Sequence, residues 1–218
     1  ITRIGNPAIA DVRGVNFRNI IINGDMSIAQ RGTSATGLGN NDSGYHTVDR
    51  FKFVENNSPT CEFTQTQSTD VPTGQGFPNS FKADVTTAGT VSSGGTVVLR
   101  QKFEGKNLQY LKKGTSSAES LTLSFWVKSS KTGTHWVEIY VYDANKVNSA
   151  SYSVSSANTW EHKTVTFVGE TSTTIPNDNT HGMVVQWWLK AGSTYAGGTH
   201  PGNVWHLTNA NRVPGQVN

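Results

Sequence analysis

Hydrophobic and polar residues alternate along most of the chain, which is the pattern of half-buried β-strands. Short stretches of Gly, Asn, Ser and Pro separate the alternating runs and are typical of turns. Residues 106–111 depart from this pattern, and we interpret them as a short helical turn. The pattern predicts about ten short strands, and the clearest runs cover residues 51–55, 81–85, 97–103, 121–127, 137–141, 152–154, 165–167 and 183–189.

Strands that follow one another without intervening helices predict an all-β, antiparallel β-sandwich. We expect a jelly roll, since two packed sheets of this size protect their edges in this way. The sandwich is predicted over residues 19–218, and residues 1–18 are predicted to form an extended N-terminal arm to an upstream or partner region. The segment from Gly192 to Asn218 has no long alternating run, so we expect the sandwich to lack its last strand.

Strand parity places several aromatic residues on one side of the predicted sandwich. Side chains alternate between the two faces of a strand, so the apolar positions of residues 121–129, 134–142 and 183–190 define one face. If these three strands share a sheet, the opposite face groups aromatic with hydrogen-bonding side chains. We call this set the predicted contact face, and it comprises Trp126, Trp136, Glu138, Tyr140, Tyr142, Gln186 and Trp188.

The predicted contact face has three interpretations. Aromatic rings beside hydrogen-bonding groups suit a glycan, which offers apolar faces and hydroxyls. Trp and Tyr are also enriched at protein–protein interfaces. A loop or the N-terminal arm that covers the face within one chain is the third interpretation. Because large exposed apolar patches usually mark partners, the pattern favours a subunit interface over a glycan site.

The composition fits a β-sheet protein and argues against several partners. Charged residues make up 15% of the chain, below the usual share of about 25%. The net charge is +3, and the basic residues are scattered, with only Lys112 and Lys113 adjacent. Nucleic-acid binders cluster their basic residues, so we expect no nucleic-acid partner. No apolar run is long enough to span a bilayer, so we also expect no membrane insertion.

Two oxygen-rich loops are candidate calcium sites. One contains Asp25, in Asn23-Gly-Asp25, and the other is Pro176-Asn-Asp-Asn179. Calcium needs six to eight oxygen ligands, and neither loop has the spaced acidic residues to supply them. Both loops fit turn chemistry better. The sequence therefore predicts no metal ion and no cofactor.

The sequence contains none of the common catalytic motifs. Its six histidines lack paired metal-ligand spacing, and it has neither a nucleophile elbow nor a phosphate-binding glycine loop. The pairs Glu138 with Asp143 and Glu161 with Glu170 are candidate glycosidase carboxylates. A β protein with 15 acidic residues contains such pairs by chance. We therefore predict no catalytic residues and no enzymatic activity.

One stretch is more distinctive than any other. It reads Asn19-Ile-Ile-Ile-Asn-Gly-Asp-Met-Ser-Ile-Ala-Gln-Arg-Gly32 and is followed by Tyr45-His-Thr-Val-Asp-Arg-Phe51. Three β-branched residues before Asn-Gly predict a strand that runs into a tight turn. The stretch resembles the opening of bacteriophage and marine-virus tail-fibre or virion surface proteins, of the cyanophage kind. More loosely, it resembles the opening of carbohydrate-binding jelly-roll modules.

Two later blocks resemble the same viral family in the same order along the chain. The first is Leu121–Thr134, and the second joins Asn158–Gly169, Trp188–Tyr195 and Asn209–Arg212. The resemblance implies a jelly roll and a non-enzymatic structural protein of the virion, located on the tail or capsid surface. It further implies a role in assembly with other virion proteins and in attachment to a host-surface glycan.

The resemblance leaves the place of the protein on the particle open. A tail fibre implies self-association into a homotrimer. A capsid decoration or head-fibre protein is the alternative, and a polysaccharide depolymerase is a less favoured one. A depolymerase should show paired carboxylates in a groove, whereas a binding protein should show aromatic residues on a sheet face.

Overall fold

The computed structural model describes residues 19–39, 41–57, 60–207 and 210–218. The structure is 42% strand and 6% helix, in several antiparallel sheets that are consistent with a β-sandwich. This confirms the predicted all-β class. The jelly-roll connectivity stays a prediction, and the predicted arm over residues 1–18 lies outside the described residues.

Eleven strands and two short helices make up the described part of the fold. The 3₁₀ helix Gly105–Leu111 confirms the predicted helical turn, and one turn of α-helix, α1, covers Ser193–Ala196. The strands are β1 Ser34–Gly39, β2 Phe51–Asn56, β3 Glu62–Ser68, β4 Ser80–Thr87, β5 Thr96–Glu104, β6 Leu121–Val127, β7 Gly133–Val141, β8 Lys146–Val154, β9 Glu161–Phe167, β10 His181–Ala191 and β11 His206–Leu207.

A six-stranded sheet forms the centre of the molecule, in the order β11–β8–β7–β10–β5–β2. Two smaller sheets, β1–β3–β4 and β6–β9, pack on the same face of it. We call this side the inner face and the opposite side the outer face. Because side chains alternate along a strand, Val97 and Leu99 of β5 point to the inner face, and Val98 and Arg100 point to the outer face.

The core beneath the inner face is apolar. Phe53 of β2 and Val97 of β5 are fully buried against Phe63 of β3, and the Phe53 and Phe63 rings meet edge to face at 5.2 Å. Towards the other end of the sheet, Val137 of β7 packs with the fully buried Phe167 of β9. Each such side chain contributes about 1.5–3 kcal/mol to folding by leaving water.

Asp70, in the connection between β3 and β4, links the two smaller sheets. Its carboxylate accepts hydrogen bonds from Lys128 Nζ at 2.6 Å and from Trp160 Nε1 at 2.9 Å. These two bonds hold the pKa of Asp70 below its usual value. Lys128 directly follows β6 and Trp160 directly precedes β9. Side chains therefore join the two sheets of the second layer, whose strands do not pair with each other.

The opening stretch folds as a loop, so the predicted strand over the three isoleucines is wrong. The chain turns at residues 22–25, where Asn23 has a left-handed φ of 58°. The side-chain amide of the buried Gln101 exchanges two hydrogen bonds of 2.8 Å with the backbone of Ile22. A side chain of β5 thus satisfies the backbone groups that a neighbouring strand would otherwise pair with.

The two oxygen-rich loops act as turns. Asp25 accepts hydrogen bonds from the N–H and the hydroxyl of Ser27, and Asp178 accepts the same pair from Thr180. Among the described residues, no three His, Cys, Asp or Glu side chains are grouped so that they could hold a metal ion. No helix in this part of the chain is both long and apolar enough to cross a membrane.

The segment after β10 passes over the outer face mainly as coil. It contains α1 and the two-residue strand β11, which pairs with β8 at the edge of the six-stranded sheet. We call its described residues, 192–207 and 210–218, the C-terminal cover. No long strand occurs within these residues.

Candidate functional site

Strand register aligns a row of polar side chains across the outer face. Lys52 of β2 lies opposite Arg100 of β5, which lies opposite Gln186 of β10. Gln186 lies opposite Glu138 of β7, and Glu138 lies opposite Ser149 of β8. Directly opposed residues project from the same face, with Cβ atoms about 5 Å apart. The row therefore brings together polar side chains from five strands that are distant in sequence.

Glu138 lies in this row and accepts hydrogen bonds at both carboxylate oxygens. Oε2 accepts from Ser149 Oγ and from Arg212 Nε, both at 2.9 Å. Oε1 accepts from Gln186 Nε2 at 2.6 Å and from a terminal guanidinium nitrogen of Arg212. The side chain is fully buried. Since a buried carboxylate needs such partners, we assign Glu138 the role of holding Arg212 against the sheet.

The two arginines of this face have different surroundings. Arg212 lies over the rings of Trp188 and Tyr195, at 5.3 and 5.7 Å from their centroids. Burial lowers the pKa of Arg212, but the charge and hydrogen bonds of Glu138 outweigh this effect and raise it. Arg100 has a buried Nε without a hydrogen-bond partner among the described residues. Burial lowers the pKa of Arg100, and Glu138 offsets that only in part.

A pocket of about 150 Å³ opens beside Arg100, and we call it the outer-face pocket. Strands β2, β5, β7 and β10 form its floor, and the C-terminal cover forms one wall. This volume is below the roughly 300 Å³ of the smallest drug-sized pockets, so the pocket admits one small polar unit. Its lining combines three aromatic rings with hydrogen-bonding groups: Asn56, Thr96, Val98, Arg100, Tyr140, Gln186, Trp188, Tyr195 and Arg212.

Hydrogen bonds fix the C-terminal cover to the sheet. Trp136 donates from Nε1 to the carbonyl of Pro214 at 3.0 Å and from its backbone N–H to Gln216 Oε1 at 3.1 Å. The Asn218 side chain exchanges hydrogen bonds of 2.8 and 2.9 Å with the backbone of Ala191. The cover is therefore anchored both to β7 and to the end of β10, and it forms a defined wall of the outer-face pocket.

The structure places six of the seven residues of the predicted contact face on the outer face. Trp126 is the exception, because β6 pairs only with β9, where the Trp126 ring contacts His162 at 5.2 Å. The premise that the three strands share one sheet is thus wrong for β6. The six residues on the outer face are Trp136, Glu138, Tyr140, Tyr142, Gln186 and Trp188.

The chain itself covers most of this face. Trp136 and Trp188 expose only 7% and 1% of their surface, and Glu138 and Gln186 are also buried. Tyr140 is half-buried, and Tyr142 is 40% exposed. This matches the third of the three interpretations, in which the chain covers its own face. The covering segment is the C-terminal cover. The assignment of these residues to glycan or subunit contacts stays a prediction.

Sequence reasoning missed the two arginines of the pocket. Arg100 belongs to a strand that the alternation predicts, and its parity places it opposite the apolar positions Val97 and Leu99. The signal for Arg100 was therefore present in the sequence. Arg212 comes from coil with no period, so nothing in the sequence pairs it with Glu138, which lies 74 residues earlier.

A second, larger groove of about 670 Å³ lies beside the opening loop. Arg31 and Arg50 of the opening stretch line one part of it, and Lys102 and His181 line another. Arg31 pairs with Asp49 at 2.8 Å. Burial lowers the pKa of His181, and the charge of Lys102 lowers it further. The distinctive opening stretch therefore shapes a basic, solvent-open groove.

The acidic residues considered as glycosidase pairs have structural partners. Glu161 accepts hydrogen bonds from two backbone N–H groups and pairs with Lys163 at 2.6 Å. Glu170 is buried and pairs with Lys146 at 3.3 Å. Burial raises the pKa of Glu170, but hydrogen bonds from its neighbours outweigh that and lower it. Glu138 pairs with Arg212 as described.

No protein-family model matches this chain, and comparison with curated proteins and with solved structures found no match either. The fold and the site define its class by themselves: an all-β protein whose central sheet bears a small pocket with aromatic and cationic walls.

Proposed function

We propose that this protein is a non-enzymatic structural protein of a virion, of the tail-fibre kind, which attaches the particle to a host-surface glycan and takes part in assembly. The observation that carries the proposal is the outer-face pocket, where Tyr140, Trp188 and Tyr195 surround Arg100 and Gln186. The resemblance of the opening stretch and of the two later blocks supports the virion setting.

The pocket offers what a sugar needs. The half-buried rings of Tyr140 and Tyr195 are the ones that can stack on the apolar face of a pyranose, since Trp188 is only 1% exposed, and amide and guanidinium groups pair with the sugar hydroxyls. The rings are held in place, since Tyr140 donates its hydroxyl to Asn145 Oδ1 at 3.0 Å and the rings of Trp188 and Tyr195 lie 5.6 Å apart. Rings that are already fixed lose little conformational freedom on binding, which favours affinity.

Assembly has a candidate surface at the β11 edge of the six-stranded sheet. Val168, Val204 and Leu207 expose 41%, 44% and 60% of their surface there. The indole of Trp205 donates to the carbonyl of Val168 at 2.7 Å, which holds this edge together. Apolar side chains at a sheet edge favour association with another chain. We therefore place the subunit contact of the proposed homotrimer at this edge.

Binding to surface polysaccharides of candidate bacterial hosts tests the attachment function. The native protein should bind at least one of them, and Tyr140→Ala should bind at least about tenfold more weakly, because it removes one ring face and its stacking energy. Tyr110→Ala is the control, since Tyr110 is a tyrosine with 39% of its surface exposed that lies outside the pocket. A native protein that binds none of the polysaccharides, or equal losses in both variants, would contradict the proposal.

The mass of the native protein in solution tests the assembly contact. We expect a trimer that the double variant Val204→Lys, Leu207→Lys converts to a monomer, because the charges cannot be buried in an apolar contact. Val85→Lys on β4 is the control, since Val85 is 56% exposed and lies away from this edge. A monomer at all concentrations would refute this part of the proposal.

A further inference from the structure

We propose that the outer-face pocket selects acidic sugars, and that Arg100 pairs with the anionic group of one sugar unit, such as the carboxylate of a hexuronic acid. This inference rests on the proposed function, because it names the class of glycan that the pocket binds.

The charges around the pocket leave one cation without a partner. Arg100 and Arg212 both line it, and Glu138 is the carboxylate beside them. Each oxygen of Glu138 already accepts two hydrogen bonds, one of them from Arg212. A carboxylate oxygen has two lone-pair sites, so Glu138 has no acceptor left for Arg100. Arg100 forms no salt bridge within the described residues.

An anionic ligand would supply that partner. Arg100 is half-buried, and its buried Nε is unpaired among the described residues. Keeping an unpaired charge partly out of water is unfavourable, and the cost falls when an anion binds. The planar guanidinium fork matches the two oxygens of a carboxylate, or two oxygens of a sulfate ester.

Two further unpaired groups adjoin Arg100. Gln186 is 3% exposed and Trp188 is 1% exposed, and both line the pocket. Gln186 Oε1 and Trp188 Nε1 have no hydrogen-bond partner within the described residues. One is an acceptor and the other a donor, which is the pair of groups that sugar hydroxyls engage. Buried polar atoms in folded proteins usually have a hydrogen-bond partner, so a polar ligand in this pocket would satisfy three groups that lack one: Arg100 Nε, Gln186 Oε1 and Trp188 Nε1.

Two further cations lie near Arg100 on the outer face. Lys52 lies opposite Arg100 in the strand register, and Lys102 follows two residues after Arg100 on the same face. Burial lowers the pKa of Lys102, and the charges of Lys52 and Arg100 lower it further. Crowded cations of this kind attract an anionic polymer.

The test compares three soluble probes by titration calorimetry: oligogalacturonate, its carboxyl-reduced uncharged counterpart, and a sulfated dextran. We expect at least one acidic probe to bind the native protein at least about tenfold more tightly than the uncharged probe, as a hydrogen-bonded charge pair requires. Arg100→Met should lose this preference. Binding of one acidic probe and not the other identifies the anion.

Lys131→Met is the matched control. It removes the same charge from an exposed position outside the lining of the pocket, so it reports any non-specific attraction of polyanions to a basic protein. We expect it to bind the acidic probe within about twofold of the native protein, since exposed charges contribute little.

Thermal unfolding without ligand gives a second readout. If Arg100 is kept for a ligand, Arg100→Met should melt at the native temperature or above it, because it removes an unpaired charge. A clear fall in melting temperature would assign Arg100 to the fold and overturn the inference. Equal binding of acidic and uncharged probes, or equal losses in Arg100→Met and Lys131→Met, would also overturn the inference, while the proposed glycan attachment would still stand. Failure to bind any probe and any host polysaccharide would remove the proposed function itself.

Discussion

The two faces of the six-stranded sheet use the same strands and are stabilised in different ways. Beneath the inner face, apolar side chains such as Phe53 and Val137 pack against two further sheets and outnumber the buried polar side chains, such as Gln101. On the outer face, Glu138 and Arg212 form a buried ion pair beneath coil, and Trp136 bonds to that coil. Apolar packing is non-directional, whereas each buried polar group needs a particular partner.

This difference explains why the candidate site lies on the outer face. A face built from directional contacts can leave some of its groups unpaired, as it does at Arg100, Gln186 and Trp188. The inner face lies beneath two further sheets, so its side chains are not available to a ligand.

Phe53→Ala on the inner face should reduce the free energy of unfolding by about 3–5 kcal/mol, because it leaves a cavity in a fully buried cluster. Denaturant unfolding of the purified protein measures this change. Val85→Ala, at a position of β4 that is 56% exposed, should change the free energy of unfolding by less than about 0.5 kcal/mol. Similar losses in the two variants would mean that the inner face is not the main core.

Arg212→Met on the outer face should cost about 3 kcal/mol, because it leaves the carboxylate of Glu138 buried without its main partner. We expect the lower end of the range for buried pairs, since 12% of the Arg212 side chain is exposed. The double variant Glu138→Met, Arg212→Met should regain most of the loss, because neither charge then remains buried. Additive losses in the double variant would argue against a coupled pair.

Trp136→Phe should loosen the C-terminal cover and cost about 1 kcal/mol, the value of one hydrogen bond, here the bond from Nε1 to the carbonyl of Pro214. Hydrogen exchange should rise in the cover and stay unchanged in the strands beneath the inner face. Trp126→Phe, on the separate β6–β9 sheet, should leave exchange in the cover as it is. Uniformly faster exchange would indicate that the cover and the core unfold together.

The smallest effect should be a loss of stability on acidification, with one contribution from each face. Burial lowers the pKa of His135, which stacks on Tyr152 at the inner face, and of His200, which contacts Trp136 at the outer face. The folded protein therefore takes up these protons at lower pH than the unfolded chain does. The contribution of these two histidines to stability should be constant above about pH 7 and should fall as pH drops through the ordinary histidine value of 6.5.

Unfolding of His135→Gln and His200→Gln at about pH 7.5 and pH 5.5 separates the two contributions. Each variant should show a smaller acid loss than the native protein, and the double variant should show the smallest loss. If only His200→Gln reduces the dependence of unfolding stability on pH, the outer face is the pH-sensitive one. An unchanged profile in both variants would assign the acid loss to other groups.

The alternating pattern predicted eight of the eleven described strands, because side-chain parity is local, and it missed β1, β3 and β11. It failed at the three isoleucines of the opening stretch, where the amide of Gln101, about 80 residues away, takes the place of a neighbouring strand. It also failed to separate Trp126 from the other tryptophans, because parity gives the face of a strand and not the sheet to which the strand belongs. The pairing of Arg212 with Glu138 depends on where a coil segment packs on the sheet, and no local sequence pattern encodes that position.

The C-terminal cover can change in sequence more freely than the strands beneath it. Coil has no strand register to preserve, so substitutions around Tyr195 and Arg212 can reshape one wall of the pocket while β5, β7 and β10 keep their pairing. Variable loops on a rigid scaffold are where new specificities usually arise. Related chains that keep this sandwich should therefore differ most in their covers, and exchanging that segment between them should exchange what they recognise.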